Sequence, residues 1–196
     1  MRHGLLRWWR PGELDDGRRE VYEAIVGGPR GRATTTRGWP LADAEGRLNG
    51  PFNAMVAAGG VGMAVQRLGA AIRYESGLPA RLRELAILEL ARLRGSEIEW
   101  QAHEGPARAA GLTDAELADV RAGRVPDGFA DTDRLLVDVV RRLVLDRALP
   151  EVTGTAAVAA FGERGFLEIV YCVGYYDMLA LAMAASRTPL PDQGSS

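Results

Sequence analysis

Apolar positions recur along this chain three and four residues apart, the spacing of one helix face, and no segment shows the period of two that marks a half-buried strand. The densest stretch is Arg81 to Arg94. It has no Gly or Pro, and Leu82, Leu85, Ala86, Ile87, Leu88, Leu90, Ala91 and Leu93 cover most of a 3.6-residue wheel, which predicts a helix buried on most sides. Gly95 stops that helix as the glycine after its last turn, and Ser96 opens a second helix running to about Ala110, so a helical hairpin is placed at the centre of the fold.

Around this hairpin the pattern predicts further helices. Glu13 to Val26 carries acidic residues first and an apolar stripe of Val21, Tyr22, Ile25 and Val26, in keeping with the helix dipole. Gly27 to Gly50 has little periodicity and is expected to be a long irregular connection, a kind of segment that is often functional; its T-T-T-R run and Trp39 would line a pocket mouth or wrap a neighbouring subunit. A helix from about Phe52 to Ser76 is expected to break at Gly59, Gly60 and Gly62, its second piece burying Met63, Val65, Leu68, Ala71 and Ile72. Thr113 and Glu116 form a capping box that opens a short helix to about Arg121, and Arg124 to Gly128 reads as a turn. Helices follow from about Thr132 to Asp146, from Pro150 to Phe161, and from about Glu163 to Ser186. The last is apolar almost all round, but Glu168, Tyr175, Tyr176 and Asp177 interrupt it, so a core helix or a subunit interface fits better than a membrane span. The expectation is an all-α fold of roughly eight helices in one domain over residues 1–196, with 1–12 as a flexible leader whose tryptophans pack on the protein or a sister subunit, and a disordered tail over 189–196.

Composition narrows the chemistry. The 24 basic and 26 acidic residues nearly cancel, which leaves no electrostatic footprint for nucleic acid or an anionic membrane. All the basic residues are arginine, and the lack of lysine excludes Schiff-base catalysis, a pyridoxal-phosphate lysine and a lysine-bearing phosphate loop. The single cysteine, Cys172, excludes an internal disulfide, and two histidines, His3 and His103, exclude a multi-histidine zinc site within the chain. Carboxylates could still recruit a metal, but no metal and no cofactor is expected. The N-terminal residues do not carry the apolar core of a signal peptide, so the expected location is cytoplasmic. The 47% hydrophobic composition, with that apolar last helix, predicts a homo-oligomer.

The candidate chemistry lies in the hairpin. Ser96, Glu99 and His103 stand at i, i+3 and i+7 and project from one face of the second helix, and Glu84 sits among apolar neighbours in the first. A buried carboxylate needs a partner or a proton. Two carboxylates and an imidazole at one helix junction make a candidate proton-transfer site with His103, Glu84 and Glu99 as its catalytic members. The neighbouring charge favours the protonated imidazole and desolvation opposes it. Arg81 or Arg83 would hold a substrate carboxylate, Trp100 would shape an apolar wall, and Ser96, Asn53 and Tyr74 are polar groups placed to face a substrate. Each residue also has a purely structural reading. Ser96 and Glu99 have capping-box spacing, Glu84 has Arg81, Arg83 and Arg92 within reach as ion-pair partners, and His103 would be a satisfied core or surface histidine.

The run R-x-R-E-L-A-I-L, followed by S-E-I-E-W-Q-A-H and A-R-A-A-G-L-T-D, resembles the carboxymuconolactone decarboxylase family, which includes the alkylhydroperoxidase-D-like proteins. The resemblance extends from about Leu48 to Leu190, through N-G-P-F-N-A-M and V-G-Y-Y-D-M-L-A. In the peroxidase branch of that family a Glu precedes a Cys-x-x-Cys pair and a His follows it. On this chain those positions are Glu84, then Ser96 and Glu99, then His103, so the proton-handling positions are kept and both redox positions are lost. The resemblance implies an alkylhydroperoxidase-D-like helical bundle assembled as trimers or hexamers. It also implies a cofactor-independent, decarboxylase-like reaction on a small carboxylated or lactone-like substrate, or else a non-catalytic oligomer that keeps the fold and binds a small ligand or partner.

Overall fold

The computed structural model describes residues 1–32 and 40–190, which form nine α-helices and one short strand pair. The T-T-T-R run and Trp39 lie outside the described residues, as does most of the expected disordered tail. Two compact units are distinguished, one of residues 1–75 with the chain from Leu181 onward, the other Ser76–Ala180.

In the first unit the expected flexible leader is folded. Strands β1 (Arg2–His3) and β2 (Leu6–Arg7) pair antiparallel around Gly4, whose φ of 68° suits glycine, and a side chain there would collide with the backbone of Arg187. His3 is buried, stacks on Trp8 with ring centroids 4.7 Å apart, and accepts from the Gly50 N–H at 3.2 Å. Burial holds its pKa below the usual imidazole value, with Asp43 opposing. Trp8 donates to the Leu48 carbonyl at 2.8 Å, and Trp9 lies under the guanidinium groups of Arg7 and Arg18 at 4.3 and 4.7 Å. The aromatic residues were expected to pack; a bonded hairpin was not visible because its strands are two residues long.

Helix α1 (Asp16–Val26) starts on Asp15, which accepts from the Arg18 N–H. The expected irregular connection contains a four-residue helix α2 (Pro29–Arg32) and a bridge between Ala42 and Leu48. Helices α3 (Pro51–Ala58) and α4 (Gly60–Tyr74) are separated at Gly59, where φ is 58° and ψ is −124°, which confirms the glycine break. Gly62 permits close packing at that break, because a Cβ there would collide with the Met55 carbonyl.

The second unit is organised on helix α5 (Ala80–Arg94), which packs on α6 (Glu97–Ala109), α7 (Asp114–Arg121) and α8 (Asp131–Leu145). Its residues 84 to 91 are all buried, Glu84 and Glu89 included, as its nearly continuous apolar surface predicts. The α5–α6 turn is a Schellman motif. Gly95 is left-handed, its N–H donates to the Arg92 carbonyl at 3.1 Å, and the Ser96 N–H donates to the Ala91 carbonyl at 2.8 Å. Thr113 and Glu116 form the predicted capping box at the start of α7. Helix α9 (Glu151–Ser186) is interrupted at Gly162, with φ of 69° and ψ of 164°, so the two expected helices abut without a loop. Alone among the described helices, α9 is long and apolar enough to cross a membrane by length and composition. Ile169, Cys172, Val173, Tyr175, Tyr176, Leu179, Ala180 and Met183 form its buried stripe, the pattern of a core helix.

Candidate active site

The tight Gly95 turn folds α6 back along α5 and brings three predicted residues together. His103 Nδ1 lies 2.7 Å from Glu84 Oε2, and its Nε2 lies 3.5 Å from Glu99 Oε2, so one imidazole stands between two carboxylates. Glu99 and His103 meet because they are one turn apart on α6, and Glu84 meets His103 only through the hairpin. Glu84, Glu99 and His103 are 2, 3 and 6% exposed, which places the cluster in a medium where charge is costly. Arg83 Nε approaches Glu84 Oε1 at 3.4 Å. These four side chains hold one fixed positive charge, two carboxylates and an imidazole.

An aromatic wall closes one side of the imidazole. Tyr176 meets it edge-on with centroids 5.0 Å apart, and Tyr175 meets Tyr176 at 5.1 Å, again nearly perpendicular. The two tyrosines come from the V-G-Y-Y-D segment of α9, but nothing in their local spacing identifies them as site residues, since the contact depends on how α9 packs.

Other predicted residues are placed differently. Arg81, expected to hold a substrate carboxylate, is engaged with protein partners as a clamp between helices. It donates from Nε and Nη2 to Asp133 at 3.1 and 3.0 Å, from Nη2 to Glu116 at 2.8 Å and from Nη1 to the Gly111 carbonyl at 2.6 Å, which joins α5, α7 and α8. Glu116 and Asp133 raise its pKa despite burial. Arg83 is ion-paired with Glu84. Ser96 is the N-cap residue of α6 by position, but its side chain makes no capping hydrogen bond, so the Ser96–Glu99 capping box does not form; Glu99 is turned to His103 instead. Trp100 is buried under Arg121, whose guanidinium carbon is 4.7 Å from the ring centroid. Asn53, in the first unit, is engaged by backbone: its Nδ2 donates to the Arg7 carbonyl at 3.1 Å and its Oδ1 accepts from the Trp9 N–H at 3.5 Å. Tyr74, at the end of α4, is 40% exposed.

A second buried carboxylate on α5 went unremarked in the sequence. Glu89 is fully buried and accepts from Arg92 at 3.1 and 2.5 Å and from Arg141 Nε at 2.6 Å, an ion triad that ties α5 to α8. Its signal was Glu89 inside the same apolar run as Glu84. Among the described residues no group of three or more His, Cys, Asp or Glu side chains has the arrangement of a metal site.

Residues 60–142 match the sequence profile of the Carboxymuconolactone decarboxylase family, a narrower span than the resemblance read from the sequence. No curated protein matches the chain. Among solved structures, the fold is similar to a protein of unknown function from Agrobacterium tumefaciens for which an AhpD-type antioxidant role has been suggested. The two share a TM-score of 0.65 at 18% identity, over 72% of this chain and 97% of that one. It is equally similar to the debrominase Bmp8, solved as a cysteine-to-alanine variant with 2,3,4-tribromopyrrole, with a TM-score of 0.65 at 12% identity, over 88% of this chain and 84% of that one. The matched segment, 60–142, which contains Glu84, Glu99 and His103, belongs to the carboxymuconolactone decarboxylase family, and the chain has the alkylhydroperoxidase-D-like all-α fold.

Proposed function

We propose that this protein is a cofactor-independent, decarboxylase-like enzyme that performs proton transfer on a small carboxylated or lactone-like substrate. The observation that supports this most is the buried imidazole set between two carboxylates at 2.7 and 3.5 Å. Glu84 fixes the ring through Nδ1 and sustains its positive charge, and Nε2, on the side of Glu99, is the nitrogen that exchanges the proton. As the bond to the departing carboxylate breaks, its electron pair enters the conjugated system of the substrate and carbon dioxide leaves. The imidazolium then delivers its proton to the carbon left behind, and water restores it through the carboxylates. The protein contributes orientation and a proton.

The fold also hosts debromination in Bmp8, so a halogenated pyrrole belongs in any substrate panel. We place the protein in the cytoplasm, in keeping with a single cysteine, Cys172, that is buried and in no disulfide. We further propose a homo-oligomer, trimeric or hexameric, for which α9 supplies the surface. Leu167, Tyr171, Gly174, Met178, Leu181 and Ala185 alternate by four and three residues and are all exposed, an unbroken seam of coiled-coil spacing.

A second reading, a non-catalytic oligomer that binds a small ligand or partner, is favoured by the near-complete burial of the cluster. Turnover separates the two. Unsaturated lactone acids and 2,3,4-tribromopyrrole are incubated with the protein and its His103→Gln variant, and substrate absorbance and carbon dioxide release are followed. Decarboxylation that the variant loses while remaining folded supports the enzyme; equal rates in both proteins, or no turnover of any acid, favour the second reading.

A further inference from the structure

A cavity of about 180 Å³, open on one side, lies where α5, α6 and α7 meet, lined by Ala91, Arg92, Gly95, Ser96, Trp100 and Arg121 with Glu97. That is the space of about six waters at liquid density. None of Glu84, Glu99 and His103 lines it, so it is distinct from the proton-transfer cluster.

Three observations give it a chemical preference. Trp100, one of the lining residues, is 3% exposed, and its indole Nε1–H is a buried donor with no acceptor among the described residues. Arg121 covers the Trp100 ring at 4.7 Å and, among the described residues, gives one hydrogen bond, from Nη2 to Glu97 at 2.8 Å; a guanidinium has five N–H donors, so others remain for a second oxygen ligand. Charge also accumulates here. Of the three charged residues that line the cavity, two, Arg92 and Arg121, are cations and one, Glu97, is a carboxylate, a surplus of one positive charge in the lining. The first backbone N–H groups of α6 add to it, because Ser96 does not cap them.

We propose that this cavity binds a small organic monocarboxylate, with its oxygens on the Arg121 guanidinium and the Trp100 indole N–H and its apolar body against Ala91 and Gly95. A single surplus charge suits a monoanion better than a phosphate ester, and the paired N–H donors suit the two oxygens of a carboxylate. The proposal is independent of the reaction assigned to His103.

Benzoate is the probe, with benzamide as the uncharged control of equal shape. Titration calorimetry and a spectrum of the indole N–H groups are recorded for the wild type, Arg121→Gln, Trp100→Phe and His103→Gln. The resonance absent in Trp100→Phe is that of Trp100. Benzoate should shift it downfield, benzamide should bind at least about tenfold more weakly, and Arg121→Gln should lose at least about tenfold in benzoate affinity. The His103→Gln protein should bind benzoate as the wild type does. Absence of benzoate binding at about 10 mM, an unmoved Trp100 resonance, or equal affinity in Arg121→Gln would each overturn the proposal. Loss of binding in His103→Gln would overturn it too, by placing the acid at the other cluster.

Discussion

Replacing His103 with Gln tests whether the imidazole and its two carboxylates form one network. Removing one partner of a buried ion pair costs about 3–5 kcal/mol when the other is left uncompensated. Two features of this structure reduce that. Arg83 remains 3.4 Å from Glu84, and a carboxamide N–H₂ still donates to one of the carboxylates. The expected loss is about 2 kcal/mol, which for a chain of this length lowers the melting temperature by about 4–8 °C. The same logic predicts non-additivity. Glu84→Gln removes a charge that His103 and Arg83 both answer, so the double variant should be more stable than the summed single losses suggest, by about 1–2 kcal/mol. Urea unfolding of the four proteins of this cycle measures the term. A cycle that closes to within about 0.5 kcal/mol would refute the shared network, since groups bonded at 2.7 Å do not act independently.

Three other outcomes follow. The protein should consume no hydroperoxide with a dithiol reductant, because the family's two cysteine positions hold Ser96 and Glu99 and Cys172 is 1% exposed; consumption abolished by alkylating Cys172 would contradict this. Replacing Tyr171 and Leu181, 60 and 70% exposed on the α9 seam, with Glu should lower the mass reported by light scattering without changing helical circular dichroism; a wild-type monomer at micromolar concentration would refute the assembly. Burial raises the Glu116 pKa, but hydrogen bonds from Arg81 and the Thr113 N–H outweigh it, and the net position is below the ordinary 4.5. Since the folded value is the lower one, its stabilisation is present above pH 4.5 and is lost as the pH falls through the folded value, so Glu116→Gln should cost stability at pH 7 and progressively less below 4.5.

The helices were legible where local physics decides them. Gly95, Gly59 and Gly162 each end or break a helix where the pattern required it, and Thr113–Glu116 caps α7 as its spacing implies. The Glu84–His103–Glu99 cluster was legible for a related reason. Two of its members share a helix face, and the third is reached through a turn whose geometry glycine fixes. The arginines were not legible, because a guanidinium reaches far enough to choose among partners that only tertiary packing supplies. Arg81 meets Asp133 and Glu116, fifty-two and thirty-five residues away, while Arg121 lies over Trp100.

That choice bears on function. In a chain without lysine every fixed side-chain cation is a guanidinium. Most of those near the hairpin are already matched to a named carboxylate: Arg81 to Asp133 and Glu116, Arg94 to Asp177, and Arg92 and Arg141 to the fully buried Glu89. Such an arginine holds helices together and offers little to a substrate, because turning it toward a ligand would leave a buried carboxylate unpaired. Arg121 differs. Its partner Glu97 is 42% exposed and water can solvate it when the guanidinium turns away, so the change costs little. Anion recognition in this unit is therefore cheapest where an arginine is paired at the surface and backed by a buried donor, which is the arrangement of Arg121 over Trp100.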